Sequence, residues 1–398
     1  MTRLQRYLPA LLALMAFETP AQELTLAELT ALVRQQEQRI AELERAQGAT
    51  QSELAATATT VETLGAGIGG PATTIGGYGE MHYNNLDAND PANDLDEVDF
   101  HRFVLFFGHR FSDRVRLFSE LEVEHSLSGE GKPGEVELEQ AYVDIRLKNS
   151  LSARAGLFLL PVGFLNEIHE PPTFYGVERN DVENIIVPTT WWEGGGGFSG
   201  RMQNGIGWDI ALHSGLAMPT SGTSAFRVRS GRQKVAEALA SDWAYTARVS
   251  YAGWPGLELA ASYQYQSDPS QVAGDGLDTG QLLAANLIYR RSDFTLKALY
   301  GAWRFDGFAV EAAGADKQDG WFVEPSYRLN DNWGVYARYE DLDGARTVDQ
   351  FSQWEAGFNY WLNPKVVFKF DYRQRDLNLP SLAGRDFSGF DLGFGYQF

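Results

Sequence analysis

Seven basic residues, Arg116, Arg146, Arg154, Arg248, Lys297, Arg338 and Lys369, stand in stretches where polar and apolar residues alternate, and each takes a polar position. In extended chain, alternate side chains share a face, so all seven belong to the polar faces of their segments. Most lie within about six residues of a short turn, which at about 3.3 Å per residue, reduced by tilt, gathers them toward one end of whatever the segments enclose. Cations on the wall of a narrow, water-filled space attract small anions through a medium that screens less than bulk water. Where a carboxylate stands opposite, the two charges pair and only keep the wall wet. This is chemistry of selection rather than of bond making. Glu120, Glu122 and Glu124 continue the segment of Arg116 away from its turn. The longest stretch without alternation, 160–194, carries Glu167, His169, Glu170 and Arg179, with further acids at Glu178, Asp181, Glu183 and Glu193 and no lysine.

Other chemistries find less support. His213 and Ser214 are the residue types of a nucleophile and its base, but neighbours in a strand point to opposite faces and do not share a hydrogen bond. The six histidines are scattered, and His169-Glu170 has no second ligand at metal-binding spacing, so neither metal nor cofactor is expected. The glycine tracts at 194–197 and 65–70 lack the strand-to-helix context and the lysine of a phosphate loop, and read as tight packing and linker. There are no cysteines, which excludes disulfides and thiolate sites. With 53 acidic against 33 basic residues and a net charge of −20, the chain opposes nucleic acid, whose binding needs a concentrated positive surface. No enzyme activity is expected.

The elements that must position these residues come in two regimes. Residues 7–17, YLPALLALMAF, follow Arg3 and Arg6 and are too short an apolar run to span a bilayer as a helix, so residues 1–21 read as a secretory signal cut after Ala21. Residues 22–64 place Leu26, Leu29, Val33, Ile40 and Leu43 at heptad a and d positions, with Gln36 also at d. A helix of that length is marginal alone in water, so partner helices, most cheaply from identical subunits, are implied, the alternative being a single amphipathic helix lying against the barrel mouth. Residues 65–72, GAGIGGPA, form a linker.

From Thr73 to the end period-two alternation replaces the helical period. Ala141, Val143, Ile145 and Leu147 alternate with Tyr142, Asp144, Arg146 and Lys148; Trp243, Tyr245, Ala247, Val249 and Tyr251 share one face. The segments run about twice the five or six residues usual in a soluble sandwich, and tilted strands of roughly nine to eleven residues are what a hydrocarbon core requires. Trp and Tyr recur near segment ends, as interfacial girdles demand. Sixteen segments follow, beginning near 74, 99, 115, 136, 151, 196, 206, 242, 256, 280, 293, 319, 332, 351, 365 and 387. Short turns such as Ser112-Asp113, Asn149-Ser150 and Asn363-Pro364 alternate with long loops near 85–97, 127–134, 160–194, 215–240, 267–278, 306–317, 342–350 and 376–386. The fold class is therefore all-β: a sixteen-stranded antiparallel transmembrane barrel over 73–398, preceded by a short coiled-coil helix. Both termini fall on the short-turn side, the periplasm in outer-membrane barrels. The final segment, GFDLGFGYQF, puts Phe390, Leu392, Phe394, Tyr396 and Phe398 on one face, and Phe394, Tyr396 and Phe398 match the terminal signal by which such barrels are inserted.

The stretch AGLFLLPVGFLNEIHEPPTFYGVERNDVENIIVPTTWWEGGGGFSG at 155–200, with ELEQAYVDIRL at 137–147 and EAGFNYWLNPKVVFKFDY at 355–372, resembles the phosphate-selective porin O/P family of Gram-negative outer membranes, over roughly residues 75–398. The resemblance implies a trimeric channel whose third loop folds inward to narrow the pore and whose lumen bears basic residues favouring anions such as phosphate. Here the third long loop is also the longest, but its acids outnumber its single Arg179, which departs from a basic constriction. The partners so implied are outer-membrane lipid and lipopolysaccharide, further copies of the chain and small hydrophilic solutes, with the N-terminal segment in the periplasm. The competing reading is an outer-membrane barrel of another kind, an enzyme or an occluded adhesion barrel. Sixteen strands favour the channel, because interior width grows with strand number.

Overall fold

The computed structural model describes residues 72–398; the signal 1–21, the coiled coil 22–64 and all but the last residue of the linker 65–72 lie outside the described residues. The alternating segments form strands β1 (Thr73–Ala88), β2 (Leu95–Arg110), β3 (Val115–Glu124), β4 (Val136–Lys148), β5 (Leu151–Leu159) and β6 (Trp192–Arg201). They continue as β7 (Ile206–His213), β8 (Ala244–Trp254), β9 (Leu257–Gln266), β10 (Thr279–Arg291) and β11 (Phe294–Asp306). The last five are β12 (Lys317–Arg328), β13 (Trp333–Asp343), β14 (Gln350–Asn363), β15 (Val366–Leu377) and β16 (Phe387–Gln397).

Each strand pairs antiparallel with its chain neighbours and β1 pairs with β16, from Tyr78↔Gln397 to Ala88↔Phe387, so the sheet closes into a barrel. Closure leaves no strand edge unpaired, the condition for placing a sheet in hydrocarbon. Phe398 extends the seam: its N–H donates to the Gly77 carbonyl (2.8 Å) and its carbonyl accepts from the Gly77 N–H (3.1 Å).

The alternation fixes two faces. On β13, Tyr336, Arg338, Glu340 and Leu342 are buried inside while Trp333, Val335 and Tyr339 are exposed outside. The same outward row recurs as Val249, Tyr263, Trp321, Trp354, Phe368 and Leu392 around the barrel. A contiguous apolar band costs about 25 cal/mol per Å² against water, and lipid removes that cost. Rings on neighbouring strands meet along it, Trp333 with Phe358 at 5.4 Å and Phe358 with Phe370 at 5.3 Å. Phe368, Phe394, Tyr396 and Phe398 continue the row at the seam, at 5.0, 5.8 and 6.5 Å between successive rings.

Connections at one end take two or four residues and at the other six to thirty-two, with 160–191 the longest. The first long loop is shorter than the expected 85–97. β1 and β2 stay paired out to Leu86↔Leu95, and only 89–94 turn, closed by Pro91 and by the Asp90 carboxylate accepting from Ala92 N–H (3.1 Å). Asp87, Asp96 and Glu97 therefore stand on a rigid strand extension rather than on a loose loop.

The interior is not uniformly polar. Ile185, Ile186, Val187 and Trp191 of the longest loop bury themselves against the inward faces of Leu299, Trp303, Phe322 and Leu342, joined by Leu216, Met218, Phe226 and Val228 from the next long loop. Along β11 the inward face changes accordingly, from Thr295 and Lys297 at the short-turn end to Leu299, Trp303 and Phe305 where the loop packs.

Candidate pore and its constriction loop

The loop 160–191 leaves β5, crosses the barrel interior and returns to β6 as a compact body. Asn166 stitches its base: its amide donates to the carbonyls of Leu160 (2.7 Å) and Trp191 (3.0 Å), and its Oδ1 accepts from Trp191 N–H (2.6 Å). Glu183 organises its middle, accepting from the backbone N–H groups of Phe164 and Leu165 and from Asn180. Burial raises the Glu183 carboxyl above its ordinary range, against those hydrogen bonds, which lower it. The carboxylate fits because residue 163 is glycine: at φ 75 it adopts a conformation that side chains resist, and a Cβ there would sit 2.3 Å from Glu183 Oε1. A helical turn, Val182–Ile186, presents the apolar residues to the wall.

Polar contacts then pin this body around the barrel. Val177 N–H donates to Asp371 (2.7 Å) on β15, Trp361 Nε1 on β14 to the Pro172 carbonyl (3.1 Å), and Trp303 Nε1 on β11 to the Ile186 carbonyl (2.9 Å). Glu178 accepts from Asn84 (3.0 Å) and meets His82 (3.1 Å) on β1; although burial opposes it, His82 and the guanidinium of Arg373 hold its carboxyl well below the usual range. Pro171 lies against β16, where a Cβ on Gly395 would approach it to 2.3 Å. Backbone carbonyls, amides and carboxylates that would be unsatisfied inside the barrel are thereby matched.

The seven basic residues read from the alternation take four kinds of place. Arg248, held by Asp209 (3.2 Å) and Glu167, and Lys297 line a cavity of about 450 Å³ at the short-turn end, together with Arg201, Glu258 and Arg290. Arg116 and Arg154 line a second cavity of about 130 Å³ with His109, Tyr142 and Asp144, and Arg154 lies 4.4 Å over the Tyr142 ring. Arg146 is exposed at the rim and donates to the Asp113 carbonyl of a short turn. Arg338 and Lys369 face inward but are covered by the loop, 4% and 5% exposed. Arg338 bridges Glu324 (3.0 Å) and Glu355 (2.8 Å), while Lys369 donates to the Gly176 carbonyl (2.8 Å) and stands 3.6 Å over the Phe174 ring.

Of the loop residues, Glu167 pairs with Arg248, and His169 meets Glu120 at 3.2 Å. Glu170 is buried, and burial pushes its carboxyl above the ordinary range. Glu167, His169 and Glu170 line a space of about 120 Å³ with Glu120, Gln140 and Arg154. Arg179 joins a group the alternation alone does not reveal: with Arg102, Arg229 and Arg232 it surrounds a polar space of about 190 Å³, whose acids are Glu124, Glu135 and Glu137. Lys234 takes Glu135 and Glu137 as partners. Arg229 and Arg232 are anchored on the carbonyls of Thr189 and Thr190 rather than on carboxylates. Burial, and after it the neighbouring guanidiniums of Arg232, Arg179, Arg227 and Arg102, push Arg229 down to about 9. Cations so placed repel one another and lower the energy of an anion that comes between them. The signal was present in the sequence as RVRSGRQK at 227–234, a basic run in an acidic chain. Its position on a long loop hid the fact that the loop folds inward.

His213 and Ser214 take separate partners, Thr246 (2.8 Å) and Glu193 (2.5 Å), not each other. Three of the six histidines, scattered in sequence, come together in space. His82, His101 and His125 meet near the long-loop end, their rings 4.8 and 5.6 Å apart in succession. Asp99 with His101 and His125, and Glu120 with Glu139 and His169, each bring three metal-ligating side chains within 4.8 Å of one another among the described residues. Long-range strand pairing brings them together, which spacing along the chain does not register.

A closed sixteen-stranded barrel with an apolar outer band, narrowed by an infolded loop, defines the outer-membrane channel class. Residues 207–378 match the sequence profile of the Gram-negative porin family. The anion-selective porin of Comamonas acidovorans shares the fold at TM-score 0.57 and 12% identity, over 82% of this chain and 99% of that one. The in-vitro folded OmpT of Vibrio cholerae in its trimer form matches at TM-score 0.52 and 10% identity, over 82% and 100%. An uncharacterized protein of Aquifex aeolicus (strain VF5) is 28% identical over 335 residues, 76% of each chain. Over those residues the chain is similar to Gram-negative porins, and its closed barrel is the fold it shares with these outer-membrane proteins.

Proposed function

We propose that this porin conducts small hydrophilic solutes by passive diffusion with a preference for anions, and that it is a phosphate-selective O/P-type channel working as a homotrimer with its N-terminal segment in the periplasm. The observation that carries the anion preference is the group Arg102, Arg179, Arg229 and Arg232 around one narrow polar space, two of its members held on carbonyls and so not neutralised by their anchors. The wall charges Arg116 and Arg154 continue the basic lining toward the short-turn end. Part of the chain's −20 lies elsewhere: Asp87, Asp90, Asp94, Asp96 and Glu97 at the outer tip of β1 and β2 face bulk solvent, where physiological salt screens charges beyond about 8 to 10 Å. Acids of the loop are spent on internal contacts, Glu167 on Arg248, Asp181 on Arg375, Glu178 on His82. The trimeric form of the Vibrio cholerae protein and the anion selectivity of the Comamonas protein are consistent with this reading.

One observation favours a second reading, an occluded barrel: the loop is bonded to strands on opposite sides of the lumen. Planar-bilayer recording separates the two. Insertion of purified protein is expected to give discrete, ohmic conductance steps. Correctly folded, heat-modifiable barrels that insert without conductance would instead establish the occluded form.

A further inference from the structure

We propose that Asp99, His101 and His125 form a binding site for a divalent transition-metal ion, with Zn²⁺ as its natural probe, beside the long-loop mouth of the pore. The Asp99 Oδ2 atom lies 3.1 Å from His101 Nδ1 and 2.8 Å from His125 Nδ1, and the three donor atoms all fall within 4.8 Å of one another. Zn²⁺ takes imidazole nitrogen and carboxylate oxygen at roughly 2.0 to 2.2 Å in tetrahedral geometry, which separates neighbouring ligand atoms by about 3.3 Å. The two spacings to the carboxylate therefore need only a few tenths of an ångström of opening, and the two imidazole nitrogens already stand within 4.8 Å of each other. Two imidazoles with one carboxylate form a donor set for zinc and its neighbours in the transition series rather than for Ca²⁺ or Mg²⁺, which prefer all-oxygen shells. Binding replaces the two contacts to Oδ2 by metal bonds, each neutral imidazole keeping its proton on Nε2, and leaves a fourth position for water.

The fold builds this juxtaposition against the simple alternation. Glu80 pairs with Arg102 and His82 with Asp99, so the single residue Met81 opposes both Phe100 and His101, a bulge in β2. Because Arg102 already faces inward, unbroken alternation would send His101 outward; the bulge re-aims it so that its ring stacks on inward-facing His82 at 4.8 Å and 14°. His125, just past β3, is brought in by a left-handed backbone at φ 51 and by its N–H donating to the His101 carbonyl (3.1 Å). His82 is itself occupied between Glu178 (3.1 Å) and Glu80 (3.3 Å), which leaves His101 and His125 as the free pair. Both are about one-third exposed, so an ion reaches them, and Asp87, Asp96 and Glu97 on the neighbouring strand extensions concentrate divalent cations there.

The test uses the full chain, without an added polyhistidine tag, in detergent after chelator treatment. Titration calorimetry with ZnCl₂ is expected to show saturable binding of one ion per chain. His101→Gln and His125→Gln are each expected to weaken it by about tenfold or more, with His109→Gln, which lies at the other end of β2, binding like the wild type. Circular dichroism and heat-modifiability verify that each variant keeps its barrel, and Co²⁺ supplies a second readout through the visible absorption of tetrahedral coordination. Absence of saturable binding in the wild type would overturn the proposal, as would affinity unchanged in both folded variants.

Discussion

A buried charge inside a barrel is stable only when its partners are complete, and Glu183 shows how much one residue carries. Its carboxyl accepts from two consecutive backbone N–H groups and from Asn180, and it sits where Gly163 leaves room. Replacing Glu183 by Ala strands those donors, at about 1 to 3 kcal/mol for each, whereas Glu183→Gln keeps an acceptor and is expected to cost far less. The two variants' midpoints in denaturant-induced unfolding from lipid should differ in that order. The pH dependence has a definite sign. Burial raises the native carboxyl above its unfolded value, so its contribution is fully present below the unfolded value and is lost as pH rises through the native one. Glu183→Gln should flatten that part of the stability profile, and equal profiles for the two proteins would contradict the assignment. Arg338 follows the same logic from the wall side: it was legible as an inward cation from alternation in NWGVYARYEDLD, but not that Glu324 and Glu355 would enclose it under the loop.

Among elements, strands and loops were not equally readable. The sixteen strands begin within a few residues of where alternation and turn chemistry place them, because a lipid face and an interior face impose opposite solvents on successive residues. The inward fold of 160–191 follows from its length, since thirty-odd residues without structure are rare in a compact domain. Two features escaped. The β2 bulge breaks alternation at a point where neither glycine nor proline announces it. The loop 214–243 enters the interior through Leu216, Met218, Phe226 and Val228, apolar residues too widely spaced to show a period. Because the constriction loop occupies part of the lumen, removing Glu167–Asn184 is expected to raise single-channel conductance several-fold. It would also uncover Lys369, Asp371 and Arg375, so the shortened barrel should unfold at a lower temperature. Unaltered conductance in a folded deletion would place the rate-limiting section elsewhere.

For the whole molecule, net charge and selectivity part company. A chain at −20 would attract cations if its charge were spread evenly, yet some of its acids lie on an outer extension and in internal pairs, while Arg102, Arg179, Arg229 and Arg232 meet around one polar space inside the barrel. Selectivity follows the charges within reach of a permeating ion, not the sum over the surface. The direct measurement is the reversal potential across a roughly tenfold KCl gradient for the wild type and for Arg229→Ala/Arg232→Ala, two positions outside every strand. The wild type should reverse on the anion side, and the double variant should move toward zero or beyond it. A cation-selective wild type, or a variant whose potential does not move, would contradict an arginine-lined throat as the selective element.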